Sequence, residues 1–435
     1  MSEALAKAFE AFTSDGGGRG PAWVVPARRA AFGRFAEAGF PTARDEEWRF
    51  TPITPIASTA WRPAGASPVP DEAKDLDLSP FEFGHPDWAT LVFVNGRYAS
   101  ALSRRGRVPA GVVIEPLAAA LEREPDLARR ALERQPTPGQ TSFAALNAAF
   151  AADGAVIRVP AGVDLGDPVH VLHVSTGEAQ GALVSPRILL VVERGARAQL
   201  VESYAGVSDV ASLTNAVTNV EVEAGGWVEH TRIQRESTAA YHLGFTRVDQ
   251  ERDSHYRSFT LAIGGAIARH DLHARLGAEN VETLLYGLYL GDGTQLVDNH
   301  TVIFHDEPHC RSWEVYKGIL DGRSRAVFNG KVLVRAEAQK TDAKQTNRNL
   351  LLSDGAKVDT KPQLEIFADD VKCTHGATVG RLDEGARFYL RSRGIPADAA
   401  QRLLTYAFAA EVVAEVASAP VREALDGLVR ARLGN

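Results

Sequence analysis

From Gly154 onward one short phrase keeps returning, a turn carrying glycine followed by an apolar or alternating run. It appears as Glu193-Arg194-Gly195-Ala196, Glu223-Ala224-Gly225-Gly226, Gly264-Gly265-Ala266, Gly291-Asp292-Gly293, Asp321-Gly322-Arg323, Asp354-Gly355-Ala356 and Glu384-Gly385-Ala386. The period is about 30 residues with one longer gap, inside the range where repeats signal solenoids, propellers or arrays. Runs such as Ala155-Val156-Ile157-Arg158-Val159 and Ile188-Leu189-Leu190-Val191-Val192 are strands by length and composition. A β-sandwich would use fewer strands than this stretch offers, and a propeller would show four strands per blade at a longer period. The repeat therefore predicts a mainly β chain, a parallel β-helix core over residues 141–393.

Helical spacing flanks that core. In residues 1–140, Pro26 opens a helix with Ala31, Phe32, Phe35 and Ala36 on one side and Gly39 closes it, and Leu117 to Leu132 repeats the signal. Between them Arg44-Asp45-Glu46-Glu47-Trp48-Arg49-Phe50-Thr51-Pro52 mixes charge with aromatics ahead of a Pro-rich linker from about Ile53 to Pro80, and Ala89 to Val94 reads as a short strand. Residues 394–435 form an α-hairpin: Leu403, Leu404, Ala407 and Val416 suit one apolar stripe, and Pro420 starts a second helix with Leu425, Leu428 and Val429. The hairpin either caps the open end of the solenoid, which every solenoid needs, or offers a groove to a partner.

The charge balance narrows the function. A formal net charge of -7 over 435 residues gives no basic field for a phosphate backbone, which argues against nucleic acid as a partner. Two cysteines, Cys310 and Cys373, cannot build a disulfide framework and suit a reducing compartment. Met1 to Glu10 lacks a basic segment followed by an apolar one, and no apolar run approaches the roughly 20 residues that span a bilayer. A cytoplasmic protein without membrane contacts is expected. Asn329-Gly330-Lys331-Val332 lacks the hydroxyl and upstream glycine of a phosphate loop, so the chain is not expected to bind ATP itself. No nucleophile elbow or dinucleotide fingerprint is present, and nothing marks one carboxylate pair as acid and base. The expectation is a non-enzymatic protein; the alternative, a β-helix carbohydrate-active enzyme, would carry a focused charged cluster on one coil face.

Three groups of residues are candidates for chemistry or structure inside the coil. On a strand, Cys373 and His375 of Val371-Lys372-Cys373-Thr374-His375-Gly376-Ala377-Thr378 point to the same side about 6.6 Å apart along the chain. Thiolate and imidazole can then meet at one soft or borderline metal ion, with a second element or subunit completing the site; the alternative is a buried thiol and a core histidine. His300, His305, His309 and Cys310 are too far apart on one strand to chelate an ion unless a turn at Pro308 brings them together, in which case the chain would be a stand-alone metal-binding protein. The pairs His270/His273 and His170/His173 read as incidental. Gln345, Asn347 and Asn349, at spacing two, place amides on one face, either as a stacked ladder or as a polar solvent face.

Four segments extend the reading: Phe328-Asn329-Gly330-Lys331-Val332-Leu333-Val334, Ala338-Gln339-Lys340-Thr341-Asp342-Ala343, Asp359-Thr360-Lys361-Pro362-Gln363-Leu364-Glu365-Ile366 and Asp369 to Thr378. Together they resemble the SUF iron–sulfur cluster assembly protein family (SufB/SufD), on its D-type side. Pro308-His309-Cys310-Arg311-Ser312, Tyr316-Lys317-Gly318 and Glu46-Glu47-Trp48-Arg49-Phe50-Thr51-Pro52 support the resemblance. It implies a right-handed parallel β-helix between helical regions, a heterodimer with a B-type paralogue (SufB), and an ABC-type ATPase (SufC) bound through the C-terminal helices, at Leu403, Leu404, Ala407, Val416, Leu425 and Leu428. It further implies that His375, and with it Cys373, contributes to a transient iron–sulfur cluster at the subunit interface. A flavin, FAD, in the complex and a homodimer in isolation stay open. The B-type pattern has a cysteine in the stretch corresponding to Thr346 to Asn349 and a glutamate-histidine-glutamate run where Cys373 to His375 stands; this sequence has neither.

Overall fold

The computed structural model describes residues 3–15, 20–64, 75–83, 85–134 and 141–434. Part of the expected linker, positions 65–74, lies outside the described residues; the rest holds the helix Thr54–Ala57 and the short strand Arg62–Pro63.

From Gly154 the chain alternates between two sheets, so that each strand pairs in parallel with the strand two places on. The first sheet runs through Gly154–Val159, Arg187–Val192, Leu213–Val222, Tyr241–Gln250, Ile267–Leu276, Leu296–His305, Arg325–Val334 and Lys357–Ile366. The second runs through Val169–Ser175, Arg197–Gly206, Trp227–Arg235, His255–Ala262, Glu282–Gly291, Arg311–Leu320, Asp342–Leu351 and Lys372–Gly380. This is a two-sheet parallel β-solenoid. The N-terminal region helps to open it: Thr90–Val94 pairs in parallel with Val169–Ser175, and Val113–Pro116 pairs antiparallel with Gly154–Val159.

The longer gap in the glycine repeat has a geometric cause. Gly195 and Gly225 occupy the corner leading from the first sheet to the second, whereas Gly265, Gly293 and Gly322 occupy the opposite corner, all with positive φ. On the first edge the left-handed position passes from glycine to Asp253, Asn280, His309 and Lys340, with φ of 58°, 60°, 61° and 63°. Each of these N–H groups donates to the corner of the following coil, as His309 does to the Gln339 carbonyl at 2.9 Å. Polar side chains that tolerate this conformation thus continue a register that a glycine search loses. The seventh phrase differs: Gly385 lies in the helix Glu384–Ser392, whose N-cap Asp383 accepts from the Ala386 N–H at 2.8 Å.

The interior rows are mostly aliphatic, with Ile157, Leu190, Val220, Val248, Ile303 and Val332 packing inward, while Val156 and Leu189 on the outer face pack against the N-terminal helices. Gln345, Asn347 and Asn349 face this interior and are 2%, 0% and 4% exposed, which removes the solvent-face reading. They do not stack as a ladder of like amides. Gln345 Nε2 donates to Glu314 Oε2 at 2.8 Å, Asn347 Nδ2 to Tyr289 Oη at 3.0 Å and Asn349 Nδ2 to Asn347 Oδ1 at 2.7 Å. Gly330 makes room for this network, because a Cβ there would lie 2.2 Å from Gln345 Nε2.

Helices cover the outer faces. Val24–Ala38 carries Pro26 in its first turn and ends at Gly39, whose N–H donates to the Phe35 carbonyl at 2.7 Å. The helical stretch after Leu117 is two helices, Leu117–Arg123 and Pro125–Glu133, because Pro125 supplies no N–H to continue the first. The C-terminal helices Ala397–Val413 and Ala419–Arg432 lie on the outer face of the second sheet, with Val412, Val413, Val416, Val421, Leu425 and Val429 against Phe259, Leu261, Leu288, Leu290 and Ile319. Lys317, 2% exposed, donates to the Phe408 carbonyl at 2.9 Å and pairs with Glu411, and Arg257 pairs with Glu415 at 2.7 Å. The hairpin therefore does not cap the open end, as one sequence reading held: its apolar stripe matches the flat outer face. Among the described residues no helix is long and apolar enough to cross a membrane.

Candidate functional site at the open end of the solenoid

The last coil consists of Lys357–Ile366 and Lys372–Gly380, and among the described residues each of these strands has a sheet neighbour on one side only. Register places Cys373 beside Ala343 and His375 beside Gln345, both interior positions. Cys373 and His375 thus continue interior rows to the point where the solenoid stops. Opposite them Val358, Thr360, Pro362, Leu364 and Ile366 extend the interior rows of the first sheet. Pro362, lacking an N–H, fits an edge strand.

Because no further coil follows, interior-type residues meet solvent here. Ile366 and Val379, on interior rows, are 38% and 48% exposed, and Phe367, just past the end of its strand, is 65% exposed. His375 is exposed, and Cys373 is half-buried against the core, where burial raises its thiol above the ordinary range. Behind His375 in the same row come Gln345 and then Glu314, at register steps of 30 and 31 residues. Burial pushes the Glu314 carboxyl up to about 7, against the lowering effect of Thr301 and Gln345. Sequence reasoning missed this carboxyl; the coil-length spacing of Glu314, Gln345 and His375 was the available signal.

Cys373 and His375 offer two ligands on one strand, and among the described residues no group of three or more His, Cys, Asp or Glu stands ready to hold a metal ion. The His300 to Cys310 run is dispersed. His300 faces outward between Asp298 and Glu47, His305 faces inward to Ser312 Oγ at 2.8 Å, His309 forms the corner, and Cys310 donates to the Ala278 carbonyl at 3.2 Å. The turn at Pro308 thus separates these side chains, and they form no common site. His170, His173, His270 and His273 are likewise buried, and among the described residues none joins a group of three or more ligating side chains. The outer-face acids Asp271 and Asp298 are tied to Arg269 at 2.8 and 2.9 Å, leaving no free pair for glycoside chemistry there.

The six partner-face candidates divide. Val416 and Leu425 are 2% and 0% exposed within the docked hairpin, so they hold the hairpin to the solenoid. Leu404 and Leu428 are half-buried, while Leu403 and Ala407 are exposed. The exposed apolar surface continues onto the helix Glu384–Ser392, where Phe388 and Tyr389 are 72% and 57% exposed. These two aromatics had no place in the sequence reading, because a single short helix gives little periodicity.

Residues 173–408 match the family described as SUF system FeS cluster assembly, SufBD core domain, and residues 19–171 match the SufBD protein N-terminal region. The chain belongs to the SufBD family of SUF iron–sulfur cluster assembly proteins. It is 34% identical over 419 residues to an iron–sulfur cluster assembly SufBD family protein of Synechocystis sp., a match covering 94% of this chain and 91% of the relative. It is 32% identical over 401 residues to the iron–sulfur cluster assembly protein SufD of Escherichia coli, covering 91% and 89%. A chloroplastic protein of Arabidopsis thaliana, ABCI7, is 31% identical over 392 residues, covering 88% and 81%. The SufBD core match ends within the helix Ala397–Val413, so the family region takes in the open end and the exposed helix Glu384–Ser392.

Proposed function

We propose that this chain is the D-type subunit of a SUF assembly complex, a scaffold that pairs end to end with a B-type paralogue and lends His375 and Cys373 to a nascent iron–sulfur cluster at that junction. The observation that carries the reading is the uncovered last coil. Two edge strands present unpaired backbone groups beside exposed Ile366, Phe367 and Val379, an arrangement suited to strand addition from a partner and unfavourable to leave in water. The cluster is cargo here. Two ligands on this chain leave positions for ligands from the partner strand, and a half-buried thiol beside an exposed imidazole suits thiophilic iron. The E. coli relative's name, SufD, supports the D-type assignment.

In this reading an ABC-type ATPase docks on the exposed helical surface formed by Phe388, Tyr389, Leu403 and Ala407, while Val416 and Leu425 stay within the hairpin. Deleting the hairpin would uncover Phe259, Leu261, Leu288 and Ile319 and confound any binding assay, so a surface variant is the cleaner probe. The test of the cluster role is His375→Ala in a complex reconstituted with the paralogue and the ATPase. The expected result is an intact complex with reduced cluster formation, read by visible absorbance and iron content; unchanged cluster yield refutes the ligand role.

A further inference from the structure

The charged and aromatic run Glu46 to Thr51 lies along the outer face of the first sheet, far in sequence from the strands it touches. Asp271, His300, Asn329 and Lys361 are successive register partners on four neighbouring strands. At about 4.8 Å per strand this row is about 14 Å long. Glu47 spans its middle, accepting from His300 Nδ1 at 3.1 Å and from Asn329 Nδ2 at 3.0 Å, and Glu46 pairs with Lys361 on the last coil. Trp48 lies 3.8 Å from the Arg269 guanidinium, which also donates to the Glu47 carbonyl, and Thr51 donates to Asp298. Phe50 lies 5.7 Å from the guanidinium of Arg325, which in turn holds Asp359 of the last coil at 2.6 Å.

The two ends of this contact differ in strength. Arg269, Asp271 and Asp298 are at most 5% exposed, so removing one charge there strands the others in low dielectric. The Glu46–Lys361 pair is 72% and 38% exposed, the class of ion pair that contributes little alone. Asp45, Glu46, Glu47 and Trp48 also wall a cavity of about 350 Å³, which leaves this segment room to shift.

From this geometry we infer that Glu46 to Thr51 is a strap, anchored at Arg269 and releasable at Lys361, through which the N-terminal region sets the position of the terminal coil. Among the described residues the strand Lys357–Ile366 has one sheet neighbour, so contacts from outside weigh more on it than on any inner strand. Glu47 and Glu46 act as positioning residues. The consequence for cluster assembly rests on the reading of the open end proposed above, but the strap itself is testable on the full chain without cluster or partner.

Hydrogen–deuterium exchange read by mass spectrometry on the full chain, comparing wild type with Glu47→Ala and Glu46→Ala, provides that test. With Glu47→Ala, amides of Lys357–Ile366 are expected to exchange at least about threefold faster, while those of Gly154–Val159, which the strap does not touch, stay unchanged. Glu46→Ala and Lys361→Ala, which alter only the exposed tip, should shift the same strand in the same direction by less; these variants keep the test alive if Glu47→Ala fails to fold. Unchanged exchange in Lys357–Ile366, or equal acceleration of every strand, overturns the inference. Loss of cluster yield in His375→Ala alongside unchanged exchange in the strap variants would sink the strap and leave the functional reading standing.

Discussion

Replacing His173 by phenylalanine should stabilise the protein, and more so in acid. The imidazole is 5% exposed, stacked between Phe93 at 4.9 Å and Tyr204 at 5.0 Å, and both its nitrogens lack hydrogen-bond partners among the described residues. Burial lowers its pKa from 6.5 to about 4, against the raising effect of Glu202 and Glu236. The folded chain therefore keeps this ring neutral where the unfolded chain protonates it. Its effect on stability is absent above the unfolded value, grows as pH falls below 6.5, and levels off below about 4. A gap of about 2.5 units at about 1.4 kcal/mol each limits the loss to about 3 kcal/mol, of which about 2 kcal/mol is lost by pH 5. Phenylalanine fills the same stacked slot without a proton to bind and without unpaired nitrogens, each of which costs about 1 kcal/mol or more. Urea unfolding of wild type and His173→Phe at pH 7.5 and pH 5 measures both effects. The expected result is a more stable variant at pH 7.5 whose advantage widens by about 2 kcal/mol at pH 5. An advantage that does not widen in acid refutes the argument.

Other substitutions probe other parts of the account. Arg269→Met takes the guanidinium from buried Asp271 and Asp298, leaving His300 against Asp298, and should cost about 3–5 kcal/mol, seen as a lowered melting temperature. Gly330→Ala drives a Cβ into the Gln345 amide at 2.2 Å and should cost about 1–3 kcal/mol in urea unfolding; an unaltered midpoint would mean that the interior network shifts freely. Leu403→Glu, at a position 46% exposed, should leave the unfolding free energy within about 0.5 kcal/mol of wild type while weakening capture of the ATPase partner in a pull-down. Undiminished capture would move the docking surface elsewhere.

The solenoid was legible because its corners need left-handed residues at a coil-length interval, and glycine marks that need in sequence. It was legible only in part, since Asp253, Asn280, His309 and Lys340 meet the same requirement without glycine and blurred the register after Gly225. Cys373 and His375 could be placed on one face from spacing alone, but their position at the last coil depends on where the repeat stops. Glu384-Gly385-Ala386 imitates another corner there and begins a helix instead. The hairpin's apolar stripe showed that it packs against something; which surface it covers was decided by the outward rows of the second sheet, Phe259, Leu261, Leu288 and Ile319, some 100 residues away or more. The strap was invisible for the same reason, because its ion partners are separated from it by more than two hundred residues.

The central claim is that the uncovered last coil is one half of a subunit junction. It is tested most directly by coexpressing the chain with a B-type paralogue and an ABC-type ATPase and determining the mass of the purified species, for wild type and for Val379→Asp on the exposed edge strand. The account predicts a stable complex containing all three proteins with the wild-type chain and loss of the paralogue with Val379→Asp. A wild-type chain that persists as a lone monomer or homodimer, or a variant that assembles as well as wild type, would contradict it.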